Sequence, residues 1–136
     1  MTARLVACRN WRAFRSGAPG RVDLINLHHL QRMTIAELND AFRRTFIGGQ
    51  IFITRGISAL SLNAQTAITE RVRSFDKFEE ANDPHGEHDF GSFEYSGQTI
   101  FWKIDCYDMR LKWGSPDPAD PAVTRRVLTI LLAEEY

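Results

Sequence analysis

Cysteine is nearly missing from this chain: only Cys8 and Cys106 occur among 136 residues. Two are too few for a disulfide scaffold, and without a CxxC pair there is no thiol pattern for zinc or redox work. Long hydrophobic runs are missing as well. The longest candidate, VLTILLA at 127–133, falls far short of the ~18 residues a membrane span needs, and it runs into Glu134 and Glu135. Arginines interrupt the apolar residues of the first twenty positions, so these lack the continuous stretch of a secretory signal. Membrane insertion is not expected, and the expected compartment is the cytoplasm. Internal repeats and low-complexity tracts are also lacking. What is present is 43% hydrophobic and 11% aromatic residues, well away from the composition of disordered chains. At this length one domain is expected, burying roughly two thirds of the surface the unfolded chain exposes.

Net charge is zero, yet unevenly spread. Residues 1–32 hold six arginines against Asp23 alone, a net of +5, which leaves −5 on residues 33–136. The expected organisation is therefore a basic N-terminal arm, 1–32, on a single acidic domain, 33–136. Met33 opens a segment that reads as a natural beginning, so the arm is either an addition or the product of an upstream start. Such an arm suits nucleic acid, with Trp11 and Phe14 interleaved among the arginines, or folds back on its own domain.

Thr34 and Glu37 form a capping-box pattern, and Ile35, Leu38, Phe42 and Phe46 follow at helical spacing until Gly48 and Gly49. QIFITR at 50–55 reads as a strand. A second helix is expected over LNAQTAITERVRSFDKF, with Leu62, Ile68, Val72 and Phe75 inward. FGSFEY and TIFWKIDCYD, joined by SGQ, read as a hairpin over about 90–108. Asp120 as N-cap and Pro121 in the first turn predict a last helix whose buried face holds Val123, Val127, Ile130 and Leu131. The order α-β-α-β-β-α, with an antiparallel hairpin in a small sheet packed with helices, makes the expected class α+β.

Chemistry concentrates in NDPHGEHDFG, residues 82–91. With Ser96 and Gly97 as the turn, counting outward pairs Phe93 with Ile100 and Gly91 with Trp102 on a core face. On the other face it sets His88 across from Asp105, beside Lys103. His88, Lys103 and Asp105 are therefore candidate catalytic residues: an imidazole base, a cation to stabilise negative charge, and a carboxylate to orient the imidazole. Asp83, His85, His88 and Asp105 are candidate ligands for a divalent metal, although His85-x-x-His88 matches no established zinc spacing. The competing reading is structural. Asp83-Pro84-His85-Gly86 has the residues of a β-turn, and the carboxylates around it are then solvated. Segment 76–120 holds eleven carboxylates against four cations, an excess suited to a basic protein partner. Glu87, Asp89 and Asp108 are its candidate contacts, and Trp113 is the candidate interface anchor.

LNDAFRRTF, NDPHGEHDFGSFE, IFWKIDCYD and GSPDPADPAVTRRVLTILLAEEY together resemble a bacterial family known as domain of unknown function 3768, over about residues 33–136. The resemblance implies a short protein often carried on plasmids and other mobile elements, and it assigns no catalytic residue. The expected function is an acidic binding or inhibitor module docking on a basic partner, of the host-defence, anti-restriction or anti-CRISPR kind. A metal-dependent hydrolase or nuclease is the alternative, and a nucleic-acid-binding regulator acting through the N-terminal arginines is a third.

Overall fold

The structure is a computed structural model, and it describes residues 32–136. The expected basic arm lies outside the described residues except for Arg32, which pairs with Asp117.

Helix α1 (Ile35–Thr45) starts as its sequence dictates. The Thr34 hydroxyl accepts the Glu37 N–H at 3.1 Å, and the Glu37 carboxylate accepts the Thr34 N–H at 2.8 Å, so two of the amides left over at a helix start are satisfied. It ends earlier than the glycines suggest, at Phe46, whose left-handed φ of 59° lets its N–H reach the Phe42 carbonyl. Strand β1 (Gly49–Ile53) follows, then the single turn α2 (Arg55–Ser58) and α3 (Leu62–Arg73), capped by Ser61. Ile68, Val72 and Phe75 are buried as expected, whereas Leu62 is 79% exposed. Six residues separate Leu62 from Ile68, about 240° around a helix, so the two do not share a face.

Strands β2 (Phe90–Tyr95) and β3 (Gln98–Tyr107) form the hairpin in the expected register: Phe93 opposes Ile100, Gly91 opposes Trp102, and Ser96 and Gly97 both take positive φ. Gly91 is needed for its lack of a side chain, because a Cβ there would sit 2.3 Å from Trp102 Nε1. The last element departs from expectation. Asp120 does cap a turn with Pro121 at its first position, but this 3-10 turn stops at Val123, and Arg125–Leu132 is a strand, β4. It lies inside the sheet, order β1-β4-β3-β2, parallel to β1 and antiparallel to β3. The physical reason is burial on both sides. Val127, Leu128, Ile130, Leu131 and Leu132 are all at most 6% exposed, and a two-sided apolar run has no periodicity to separate a helix from a central strand.

The class is α+β, with three α-helices and a four-stranded mixed sheet among the described residues. The core lies between the helices and one face of the sheet, where Phe42, Ile68 and Val72 meet Ile100, Trp102 and Leu128. Burying each such side chain contributes about 1.5–3 kcal/mol. No helix among the described residues is long and apolar enough to cross a membrane.

Candidate functional site

The decapeptide folds as a pinned turn. The Gly86 N–H reaches the Asp83 carbonyl at 3.1 Å, closing the β-turn that Asp83 and Pro84 foreshadow, with Gly86 at φ 61°. Asp83 Oδ1 then accepts the N–H groups of Glu87 and His88 at 3.0 and 3.2 Å. These bonds hold His88 in the left-handed region, φ 52°, where the chain leaves the line of β2.

That change of direction decides where the imidazole goes. The ladder between β2 and β3 ends at Phe90 opposite Lys103, with one further bond from the Ile104 N–H to the Asp89 carbonyl. His88 does not continue it to Asp105, as alternation alone predicts; it turns toward helix α1. Its ring stacks on Phe78, centroids 3.9 Å apart and planes 4° from parallel. Nδ1 lies 2.9 Å from Asp40 Oδ2, and Nε2 lies 3.7 Å from Asp83 Oδ2. Asp40 also accepts from Arg43 Nη2 at 2.8 Å. The wholly buried Arg43 donates from Nη1 to the carbonyls of Val72 and Arg73, both at 2.9 Å, closing the C-terminus of α3. Burial pushes the Arg43 guanidinium below its ordinary range, with the Asp40 hydrogen bond and charge pulling the other way.

A second polar link runs beside the first. Asn39 donates to the Glu87 carbonyl at 2.8 Å and accepts from Arg126 Nε at 2.7 Å, and Arg126 also donates to the Pro118 carbonyl. Arg126 is 4% exposed, and burial lowers its pKa to about 10. Turn 83–88, α1 and β4 are thereby tied together through side chains.

Of the three candidate catalytic residues, the structure brings two together. Lys103 Nζ sits 3.6 Å from the buried Asp105 Oδ2 on the sheet face away from the helices, while His88 is on the helix side. The four candidate ligands also divide: Asp83 and His88 meet, His85 is exposed at the turn, and Asp105 is on the other face. Among the described residues no group of three or more His, Cys, Asp or Glu side chains is placed to hold a metal ion. Glu87 and Asp89, expected as solvated contacts, are 2% and 6% exposed.

The remaining two candidates share a loop. Asp108 Oδ1 accepts the N–H groups of Arg110 and Lys112 at 3.1 and 3.0 Å, and the Asp108 N–H donates to the Trp113 carbonyl at 2.8 Å. Leu111 takes φ 59°. Hydrogen bonds from backbone amides, Lys112 first, hold the Asp108 carboxyl below its usual range. Trp113 is 73% exposed, with Met109 and Leu111 also exposed beside it.

Asn39, Asp40, Arg43 and Arg126 are the residues that sequence reading passes over. The signal for Asn39 and Arg43 was in α1, where they flank Phe42 on the face that is buried.

The family model described as "Protein of unknown function (DUF3768)" matches residues 53–135. The chain belongs to this family. Helix α1 and nearly all of β1 precede the matched span, so Asn39, Asp40 and Arg43 reach the 83–88 turn from outside it. No curated protein and no solved structure matches the chain.

Proposed function

We propose that this protein is a binding module that docks on a partner protein through loop 108–113. The observation that carries the reading is Trp113. An indole 73% exposed, on a loop fixed by three hydrogen bonds to Asp108 and a bridge between Tyr107 and Gly114, is an anchor already in its bound geometry. Met109 and Leu111 extend its apolar surface. The proposed partner is basic where it meets the exposed Asp76, Glu79, Glu80 and Glu94 of the acidic segment, while the loop itself presents Arg110 and Lys112 around its apolar side chains. Glu87 and Asp89 are left out of the contact by their burial. The resemblance to proteins of mobile elements supports a host-defence protein, restriction or CRISPR machinery, as the class of partner.

Hydrolysis at the 83–88 turn has less to support it. Both imidazole nitrogens of His88 face carboxylates, Phe78 covers one ring face, and Lys103 and Asp105 lie across the sheet.

The test is capture of partners by the full chain from a native host, followed by titration of the captured protein with Trp113→Ala. A loss of ten- to a hundredfold in affinity is expected, with an unchanged circular dichroism spectrum. Affinity equal to the wild type refutes the loop as the contact.

A further inference from the structure

The two edges of the sheet are built differently. At the β2 edge, Arg71 donates to the Glu94 carbonyl, and its guanidinium lies 4.3 Å from the centroid of the Phe93 ring. That edge is occupied and carries a charge at Glu94. Among the described residues, strand β1 at the other edge has neither protection. From Phe46 to Thr54 the sequence is FIGGQIFIT, without a charged residue or a proline, two of the devices that keep exposed strand edges from pairing.

The direction of its backbone groups follows from one bond. The Thr54 N–H donates to the Ile130 carbonyl of β4 at 3.1 Å. Because strand residues alternate, Gln50 and Phe52 point their amides the same way, and Gly49, Ile51 and Ile53 point theirs outward. Among the described residues no strand pairs with that side. Ile47, Phe52 and Ile53, next to it, are 77%, 53% and 42% exposed.

We infer that β1 pairs antiparallel with β1 of a second copy of this chain about a two-fold axis at Ile51, joining two sheets into one of eight strands. The axis sets Ile51 against its own copy and Gly49 against Ile53 of the partner subunit, so every outward amide meets an outward carbonyl. A neutral edge suits itself as a partner: a charged one would place like charges opposite each other. A contact of five residues a side falls below the ~1,200 Å² of standard interfaces, so the expected dissociation constant is of micromolar order. This surface is separate from the Trp113 loop.

Sedimentation equilibrium of the full chain, from micromolar to millimolar concentration, is the test. The expected result is a mass rising from 15.6 kDa to twice that value, with Ile53→Lys weakening association at least tenfold and Trp113→Ala leaving it unchanged. A monomer at every concentration, an open-ended assembly, or a dimer equally tight in Ile53→Lys overturns the inference. Should Ile53→Lys fail to fold, hydrogen exchange of the wild type decides. The amides of Gly49, Ile51 and Ile53 gain protection as protein concentration rises if β1 pairs with itself, and protection independent of concentration excludes it.

Discussion

Turn 83–88 and loop 108–113 are made by the same device and end in opposite roles. In each an aspartate opens the segment and its carboxylate accepts two backbone N–H groups: Glu87 and His88 on Asp83, Arg110 and Lys112 on Asp108. Each also forces a residue other than glycine into the left-handed region, His88 at φ 52° and Leu111 at φ 59°. The first closes inward, its imidazole held between Phe78, Asp40 and Asp83. The second turns its apolar side chains to solvent. Local sequence thus sets a loop's shape, while what stands opposite sets its use. Helix α1 supplies Asp40 and Asn39 to the first turn, and among the described residues no ring or ion pair holds Trp113. The turn rich in histidine and carboxylate spends its His88 side chain on contacts within the fold, and the plainer MRLKW segment leaves its apolar side chains exposed.

The largest expected difference between the two comes from removing the aspartates. Asp83→Ala strips the acceptor from two N–H groups in a buried setting and removes a carboxylate beside His88, so urea denaturation is expected to show a loss of about 2–4 kcal/mol. Asp108→Ala removes the same number of bonds where water replaces them, and its loss is expected to be clearly smaller than that of Asp83→Ala. Equal losses in the two variants would show that burial is not what separates the loops.

How far the sequence revealed this arrangement depended on whether a local signal dictated the geometry. The capping box at Thr34 and Glu37, the hairpin register counted from Ser96-Gly97, and the β-turn at Asp83-Pro84 are each set by neighbouring residues, and each is found as read. Extending the hairpin to His88 and Asp105 failed because His88, pinned to the Asp83 carboxylate five residues upstream, takes a left-handed φ of 52° that turns the chain off the strand before that pair can form. Strand β4 was hidden for a different reason. Its TRRVLTILLA stretch is buried on both faces, and the Asp120-Pro121 start signal belongs to a single 3-10 turn before it. Asp40 and Arg126 were out of reach of local reading: the first joins His88 across 48 positions and the second joins Asn39 across 87.

A smaller contrast is expected from glycine at the two left-handed positions. Glycine relieves the backbone cost of a positive φ, about 1 kcal/mol, at either site. In Leu111→Gly little opposes that gain, since the side chain is 40% exposed, so stability holds or rises slightly while partner affinity falls. In His88→Gly the stack on Phe78 and the bond to Asp40 vanish, and a net loss of about 1–2 kcal/mol is expected. Thermal melts of both variants give the two signs. A stabilised His88→Gly would mean that the imidazole contributes nothing to closing its turn.

The finest distinction is one of acidity. Amides of Lys112, Trp113 and Arg110 hold the Asp108 carboxyl below the usual range of about 3.9. A depressed carboxyl pKa means that the charged form is the one the folded loop binds. Its stabilisation is therefore complete above the ordinary value and is lost as pH falls through the lower, folded value. The amide resonances of Arg110 and Lys112 are expected to titrate together in that acid range, along with Trp113 fluorescence, and Asp108→Asn is expected to abolish the step. If those amides instead shift with an ordinary carboxylate midpoint, the carboxylate is not what pins loop 108–113, and the likeness between the two loops reduces to their backbone angles.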